Sequence, residues 1–255
     1  MRSESGAAAV RYAMVLAGVL ALVLTGSAFG KPPKDKESGQ NVDSGTFAIF
    51  TNGRRVATET FSVQEVAGGS QISAQVKTEG SETPTQSSEL RISAAGDLVR
   101  YEWRDLSGSK ASLVVTPNDQ FLIERVTTSS GEKPAEQPFL MPSSTMVLDN
   151  NFFVQRQLLV WRYLGSSCKQ DGGKLQCPLS PADFGVLVPQ DRTSMRVSLQ
   201  VIGREKVKVN AAERDLLRLD LKEDNAQWSI WIDDQNAFKV MRIVIGGANT
   251  EVVRE

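Results

Sequence analysis

From residue 44 onward, hydrophobic and polar positions alternate with a period of two. Two such runs, 46–50 and 56–63, lie on either side of Asn52-Gly53. Asn-Gly between alternating runs indicates a β-hairpin, because both residues tolerate the positive φ angles of a type I′ turn. Further runs follow at intervals of about ten residues, separated by short turn sequences: 70–79, 85–93, 97–106, 110–116 and 120–128. This spacing predicts an antiparallel meander, since it leaves no room for the crossover helices of a parallel sheet.

The middle of the chain has a different pattern. The polar residues 149–151 (DNN) precede the largely apolar segment 152–164, and Gly165 follows it. Asp and Asn are favoured N-caps and Gly is a favoured C-cap, so we predict a helix here. Its apolar residues cover nearly all directions of a helical wheel, with Gln155 and Arg162 in the main polar gap. Such a helix must be buried on most sides; two strands joined by a bend are the alternative.

The second half of the chain returns to short alternating runs. We predict strands at 184–189, 193–202, 205–210, 213–222, 226–232 and 237–245. Turn sequences rich in Asp, Asn, Gly and Pro separate them. The protein is therefore predicted to be mainly β, with about twelve strands and one helix.

The first thirty residues resemble a secretory signal peptide. Arg2 and Arg11 give a weakly basic start, and the apolar stretch 12–24 is too short to cross a bilayer as a mature helix. Small residues follow, so cleavage is predicted after Gly30 or after Ala28. The mature protein would then be periplasmic or secreted. An uncleaved N-terminal anchor is the alternative.

Residues 31–43 are polar, charged and contain proline, so we predict a flexible linker ahead of a single β-rich domain at 44–255. No later segment is apolar enough to span a membrane, which predicts no transmembrane segment in the mature chain. The net charge of the whole chain is −1. This near-balance of charge argues against a nucleic-acid partner. The oligomeric state does not follow from the sequence.

The chain contains two cysteines, Cys168 and Cys177, on either side of an Asp-Gly-Gly turn. In an oxidising compartment such a close pair predicts a disulfide that closes a short loop. The disulfide would contribute roughly 2–3 kcal/mol in the chain-entropy model. Two free thiols or a redox pair are the alternatives, although redox pairs usually have the C-x-x-C spacing.

The chain contains no histidine, which excludes Ser-His-Asp and Cys-His catalysis, a histidine zinc site and a histidine general base. The adjacent carboxylates Asp233 and Asp234 fall where a hairpin must turn, and neighbours on a strand point to opposite faces. We therefore interpret them as turn residues. No Gly-rich phosphate loop follows a strand and opens a helix. The sequence predicts no catalytic residue, no metal site and no cofactor, and hence a protein that is not an enzyme.

Large apolar side chains are the best candidates for a binding site. In the predicted strand 228–232, Trp228 and Trp231 point to opposite faces, so each face of the sheet carries an aromatic ring. One ring must contact the core, and the other must contact the helix, a partner or a ligand. An apolar cavity between the sheet and the helix is one possibility, and a helix that simply covers the ring is the other. The candidate cavity residues are Trp103, Phe153, Trp161, Trp228 and Trp231.

The late motif Trp231-Ile232-Asp233 resembles the Trp-Ile-Asp hairpin of periplasmic lipoprotein carriers of the LolA/LppX-like group. The segment 53–59 (GRRVATE), the segment 148–153 (LDNNFF) and this hairpin are together similar to a set of exported bacterial domains of unknown function. The resemblance covers most of 45–245. It implies a strongly curved antiparallel sheet, or half-barrel, with the helix packed against its concave face, and it carries over no catalytic residue.

These observations support two functional hypotheses. The first is an exported binding or carrier protein for an apolar ligand, a lipid or an acyl chain. The second is a structural or protein-interaction module of the cell envelope with a filled core. The expected partner is accordingly a lipid or an envelope protein.

Overall fold

The computed structural model describes residues 39–128, 133–172, 174–223 and 226–255. Within them the chain forms seventeen strands and one α-helix. The strands before the helix are β1 (Gln40–Thr51), β2 (Arg54–Val66), β3 (Gly69–Thr78), β4 (Gln86–Ser93), β5 (Leu98–Asp105), β6 (Ser112–Asn118), β7 (Phe121–Thr127), β8 (Ala135–Phe139) and β9 (Met146–Val147). The helix α1 (Val154–Ser167) is followed by β10 (Lys169–Asp171), β11 (Lys174–Gln176), β12 (Ala182–Val188), β13 (Thr193–Val209), β14 (Ala212–Lys222), β15 (Gln227–Asp233), β16 (Lys239–Ile245) and β17 (Thr250–Arg254).

Fifteen of these strands form one curved, open sheet. Its order is β8-β7-β6-β5-β4-β3-β2-β1-β17-β16-β15-β14-β13-β12-β9, while β10 and β11 pair only with each other. All neighbours are antiparallel except β9 and β12. The edge strands β8 and β9 are consecutive in the chain, so only residues 140–145 connect the two edges. A sheet this wide must coil because every strand pair adds twist. The predicted fold class, a mainly β protein with a strongly curved antiparallel sheet, is confirmed.

The number of strands exceeds the predicted twelve. The short strands β8, β9, β10, β11 and β17 were missed. The predicted strands 193–202 and 205–210 are one continuous strand, β13, with a bulge between Val201 and Gly203 rather than a turn. Gly203 has a φ of 151°, and the extra residue of a bulge bends a strand without ending it.

The Asn52-Gly53 hairpin is confirmed. Asn52 and Gly53 have φ angles of 52° and 73°, and they join β1 to β2. β1, however, begins at Gln40, so residues 40–43 of the predicted linker belong to the sheet. β1 pairs with β2 along this polar stretch, and backbone pairing needs no apolar side chains. The predicted signal peptide 1–30 and the residues 31–38 lie outside the described residues.

The predicted helix is confirmed, and the alternative of two strands is wrong. Nine of the 14 residues of α1 are buried, as expected for a helix enclosed by a curved sheet. The predicted ends are shifted, because α1 runs through Gly165 to Ser167 and its C-cap is Cys168. The residue preceding the helix is Phe153, whose side chain makes no capping hydrogen bond.

The main apolar core lies between α1 and the concave face of the sheet. A second, smaller core lies on the opposite face and is built around Trp231, with Val209, Leu216, Met241 and Val253. Val209 and Leu216 come from the end of the β13–β14 hairpin. Asn210, at the tip of this hairpin, donates a hydrogen bond from Nδ2 to the backbone oxygen of Arg254 at 3.0 Å. The hairpin thus packs on the outside of the sheet and covers Trp231.

Candidate functional site

The N-terminal end of α1 is held by a buried carboxyl from the sheet. Glu59 on β2 accepts hydrogen bonds from the backbone N–H of Phe153 at 2.7 Å and of Val154 at 3.2 Å. These are unpaired donors of the first helical turn, which usually need a capping side chain. Glu59 is fully buried and takes the role that we predicted for residues 149–151.

Asp149 is the centre of the network beside this turn. Its Oδ2 accepts hydrogen bonds from the Tyr101 hydroxyl and from Gln190 Nε2. Its Oδ1 accepts the backbone N–H of Asn151 at 2.8 Å. Gln190 lies between β12 and β13, whereas Tyr101 lies on β5. Asp149 therefore connects two distant parts of the sheet through one fully buried side chain.

Arg156 is the largest of the fully buried side chains. Its Nη1 donates hydrogen bonds to the backbone oxygen atoms of Asp149 and Phe152. Its guanidinium lies 4.8 Å from the ring centroid of Trp228 and 5.7 Å from that of Phe153. Arg156 thus packs against both rings, and cation–π contacts of this kind are strongest where water is excluded.

The network continues along the helix to the first and last strands. Gln157 donates from Nε2 to Asp43 Oδ2 at 2.7 Å, and its Oε1 accepts the backbone N–H of Val240 at 3.0 Å. Asp43 in turn forms a buried ion pair with Arg254, with 2.6 Å between Oδ1 and Nη2. Side chains from β1 and β17 and a backbone N–H from β16 therefore hold this turn of α1 in a defined position.

Burial shifts the pKa values of several acids. Desolvation raises the pKa of Glu59 to about 8, although two backbone N–H groups oppose the shift. It also raises the pKa of Asp149. Glu124 on β7 is fully buried, and neither of its carboxyl oxygens has a hydrogen-bond partner. Arg192 Nε lies 3.6 Å away, but desolvation outweighs this contact and raises the pKa of Glu124 to about 7.

The sequence contained a signal for these buried acids that we did not use. On β2, Glu59 falls in the same two-residue register as the buried Phe61 and Val63. On β7, Glu124 falls between the buried Leu122 and the partly buried Val126. A charged residue at a core position of an alternating strand must be either buried or at a register break, so such positions are candidates for internal networks.

The C-terminal end of α1 has a different character. Here an open groove of about 500 Å³ lies beside the last helical turns. We call it the apolar groove. Its lining residues come from α1, β1, the disulfide loop and the β15–β16 turn: Val42, Trp161, Leu164, Gly165, Cys168, Gln170, Leu175, Ala237 and Phe238. None of these nine side chains carries a charge.

Local structure explains how the groove is built. Cys168 caps α1 by donating its backbone N–H to Leu164 O at 3.2 Å. The disulfide between Cys168 and Cys177, whose Cα atoms lie 4.2 Å apart, confirms the predicted pairing. It closes the β10–β11 hairpin, which carries Leu175. On the other side, Phe238 is held by a hydrogen bond from Trp161 Nε1 to its backbone oxygen at 3.0 Å.

The five predicted cavity residues do not converge on one site. Trp161 lines the apolar groove. Phe153 and Trp228 pack against each other at the other end of α1, with ring centroids 6.4 Å apart. Trp103 packs against the main core and donates from Nε1 to Gln86 Oε1 at 3.0 Å. Trp231 lies on the opposite face of the sheet, so its placement between sheet and helix was wrong.

Comparison with known proteins assigns no family. No protein-family model matches the sequence, and no curated protein matches it. A solved structure from Brucella abortus, described as a beta-barrel-like protein of Domain of Unknown Function DUF1849, is similar over 83% of this chain and 95% of that chain. The identity is 7% and the TM-score 0.47.

Two kinds of feature are absent from the part of the chain that the structure describes. None of the helices there is long and apolar enough to cross a membrane. In the same part of the chain, no three His, Cys, Asp or Glu side chains are grouped as metal ligands would be.

Proposed function

We propose that this protein is an exported, non-catalytic binding or carrier protein that holds an apolar ligand, a lipid or an acyl chain, in the apolar groove. The observation that carries the proposal is the open groove at the end of α1, whose nine lining residues include no charged side chain. Exposed concave apolar surface of this kind is typical of ligand sites, and its volume lies in their usual range of about 300–1,000 Å³.

The physical driving force is removal of apolar surface from water. Trp161, Leu164 and Phe238 offer aromatic and aliphatic surface to a ligand. Burying such surface is worth roughly 25 cal/mol per Å². Gln170 is the one lining residue with a polar side-chain amide, which leaves little to recognise a charged group. An uncharged hydrocarbon chain therefore suits the groove better than a polar metabolite.

Export is supported by the signal-like segment 1–30 together with the disulfide, because disulfides persist in oxidising compartments. A non-catalytic role is supported by the placement of the acids with perturbed pKa values. Glu59, Asp149 and Glu124 are fully buried, so a substrate in the apolar groove does not contact them.

The proposal is tested with the neutral fluorescent probe N-phenyl-1-naphthylamine. The wild-type protein is expected to bind one probe molecule with enhanced fluorescence. Gly165→Leu should abolish this binding, because Gly165 lines the groove and an added Cβ there meets no atom within 4 Å, which leaves room for a leucine side chain to occupy groove space. Ser166→Leu is the matched control, since Ser166 is exposed on the same turn but does not line the groove.

Equal probe binding by wild type and Gly165→Leu would contradict the proposed site. Native mass spectrometry with organic extraction of protein from the exported fraction of its host would then identify the natural ligand. A stoichiometric apolar molecule is the expected result.

A structural or protein-interaction module is the second candidate function. It is favoured by the filled interior at the N-terminal end of α1, where the side chains of Arg156, Phe153 and Trp228 occupy the space between helix and sheet. It is also favoured by Leu179, an aliphatic side chain that is 92% exposed. An apo mass that stays unchanged after incubation with envelope lipids would support this alternative.

A further inference from the structure

We propose that the Cys168–Cys177 disulfide is a redox-active bridge whose reduction by a dithiol opens the apolar groove and lowers its affinity for ligand. The inference rests on the proposed function, because it concerns the control of the same groove.

The first observation is the position of the bridge between two grooves. Cys168 lines the apolar groove, and Cys177 lines a second groove of about 680 Å³ together with Leu175 and Ile202. Both cysteines are only half-buried. Thiol–disulfide exchange requires a thiolate to reach a disulfide sulfur, and exposed bridges are the labile ones. A reductant can therefore approach this bridge from either side.

The second observation is that the bridge holds a wall of the apolar groove. Three of the nine lining residues, Cys168, Gln170 and Leu175, belong to the loop that the disulfide closes. The β10–β11 hairpin in this loop is paired with itself and is not part of the fifteen-stranded sheet. All three residues of β10 are exposed. The wall is thus tied to the rest of the fold far less extensively than the strands on the opposite side.

The third observation is that the bridge begins at the helix end itself. The backbone N–H of Cys168 donates to Leu164 O and completes the last turn of α1. Leu164 and Gly165 also line the groove. Once the covalent tie to Cys177 is lost, fraying of this turn and displacement of Leu175 would alter both walls together.

The chemistry is an exchange between two sulfur couples. One thiolate of the dithiol attacks a sulfur of the bridge and forms a mixed disulfide, and the other protein cysteine leaves as a thiolate. The second thiol of the reductant, deprotonated to thiolate, then attacks the mixed disulfide and releases the remaining cysteine thiolate. Both cysteine thiolates take up protons. The protein disulfide is reduced to two thiols, and the dithiol is oxidised to a disulfide.

The test compares the oxidised and reduced forms of the full mature protein. Binding of N-phenyl-1-naphthylamine is measured before and after treatment with dithiothreitol, and alkylation followed by mass spectrometry confirms two thiols. Reduction is expected to weaken binding at least about tenfold, a loss of about 1.4 kcal/mol or more. Hydrogen exchange should accelerate in 163–177 and stay unchanged in β3 and β4, on the other half of the sheet.

Controls separate this inference from the proposed function. The double variant Cys168→Ser/Cys177→Ser should bind weakly and should not respond to dithiothreitol. Unchanged affinity after complete reduction would overturn the redox inference and leave the binding function intact. Loss of structure throughout the sheet on reduction would also overturn it, because the bridge would then be a global staple. If the oxidised protein bound no probe at all, the proposed function itself would fail.

Discussion

The two ends of helix α1 differ in nearly every physical respect. At its N-terminal end, Glu59, Asp149 and Arg156 are buried in a network that reaches β2, β5 and the β12–β13 connection. At its C-terminal end, the helix meets solvent through Trp161 and a groove bordered by a small disulfide-closed hairpin. One end of the helix is fixed by many polar contacts, and the other is left open and apolar. We therefore expect substitutions at the polar end to change stability and substitutions at the apolar end to change the proposed ligand binding.

The largest expected effect is at the polar end. Asp149→Ala removes the acceptor of the Tyr101 hydroxyl, the Gln190 amide and the Asn151 N–H. Leaving several buried donors unpaired should lower the free energy of unfolding by about 3–5 kcal/mol. Urea denaturation monitored by tryptophan fluorescence measures this change in the free energy of unfolding.

The control for this prediction is Asp183→Ala. Asp183 lies on β12 with its side chain 55% exposed, so its removal should change the free energy of unfolding by less than about 0.5 kcal/mol. Similar effects of the two substitutions would show that the polar end does not hold the helix.

The second effect is a pH dependence that originates from two buried acids, Glu59 at this end of α1 and Glu124 on β7. The folded protein holds Glu124 with a pKa of about 7 and Glu59 with a pKa of about 8, both above the ordinary value of 4.5. The folded state therefore binds more protons than the unfolded state above pH 4.5, and its stability falls as the pH rises through 7 and 8. The chain has no histidine to titrate in this range.

Glu124→Gln should reduce this dependence. The shift of Glu124 from 4.5 to about 7 corresponds to at most about 3–4 kcal/mol, at 1.36 kcal/mol per pKa unit. The variant should exceed the wild type in stability at pH 8 and resemble it at pH 5, as measured by urea denaturation at both values. A wild-type stability that increases from pH 5 to pH 8 would contradict the burial of these acids.

The smallest expected effect on stability is at the groove end. Gly165→Leu should leave the free energy of unfolding unchanged or raise it by about 0.5–1 kcal/mol, because glycine is unfavourable within a helix. The space at Gly165 is open, so no clash opposes the side chain. Thermal denaturation measures this. Clear destabilisation would show that the groove end is packed more tightly than the structure indicates.

Local sequence patterns predicted much of the fold. The Asn52-Gly53 turn, the helix in the middle of the chain and the Cys168–Cys177 bridge each depend on residues close together in the sequence. These three features can therefore be predicted without knowledge of the tertiary structure. The shortest strands were missed because prediction depended on such local patterns. β9 has two residues, too few for any alternation to show.

The candidate site was less predictable. Large aromatic residues mark buried positions, and they do not show which empty space lies beside them. Trp161 lines the apolar groove, but Trp231, predicted among the cavity residues, lies in a separate small core, because the folded-over β13–β14 hairpin covers the outside of the sheet. Nothing within strand 228–232 encodes that hairpin.

The mainly β character, the buried helix in the middle of the chain, the disulfide and the absence of histidine chemistry all follow from local propensity, spacing and composition, and so were accessible from the sequence alone. Only the tertiary structure decided which carboxyl caps α1 and where a groove stays open. Glu59 is 94 residues from Phe153, and Val42 is more than a hundred residues from Trp161 and Phe238. Contacts over such distances depend on the order and coiling of the fifteen strands, because the sheet brings together residues that no local pattern relates.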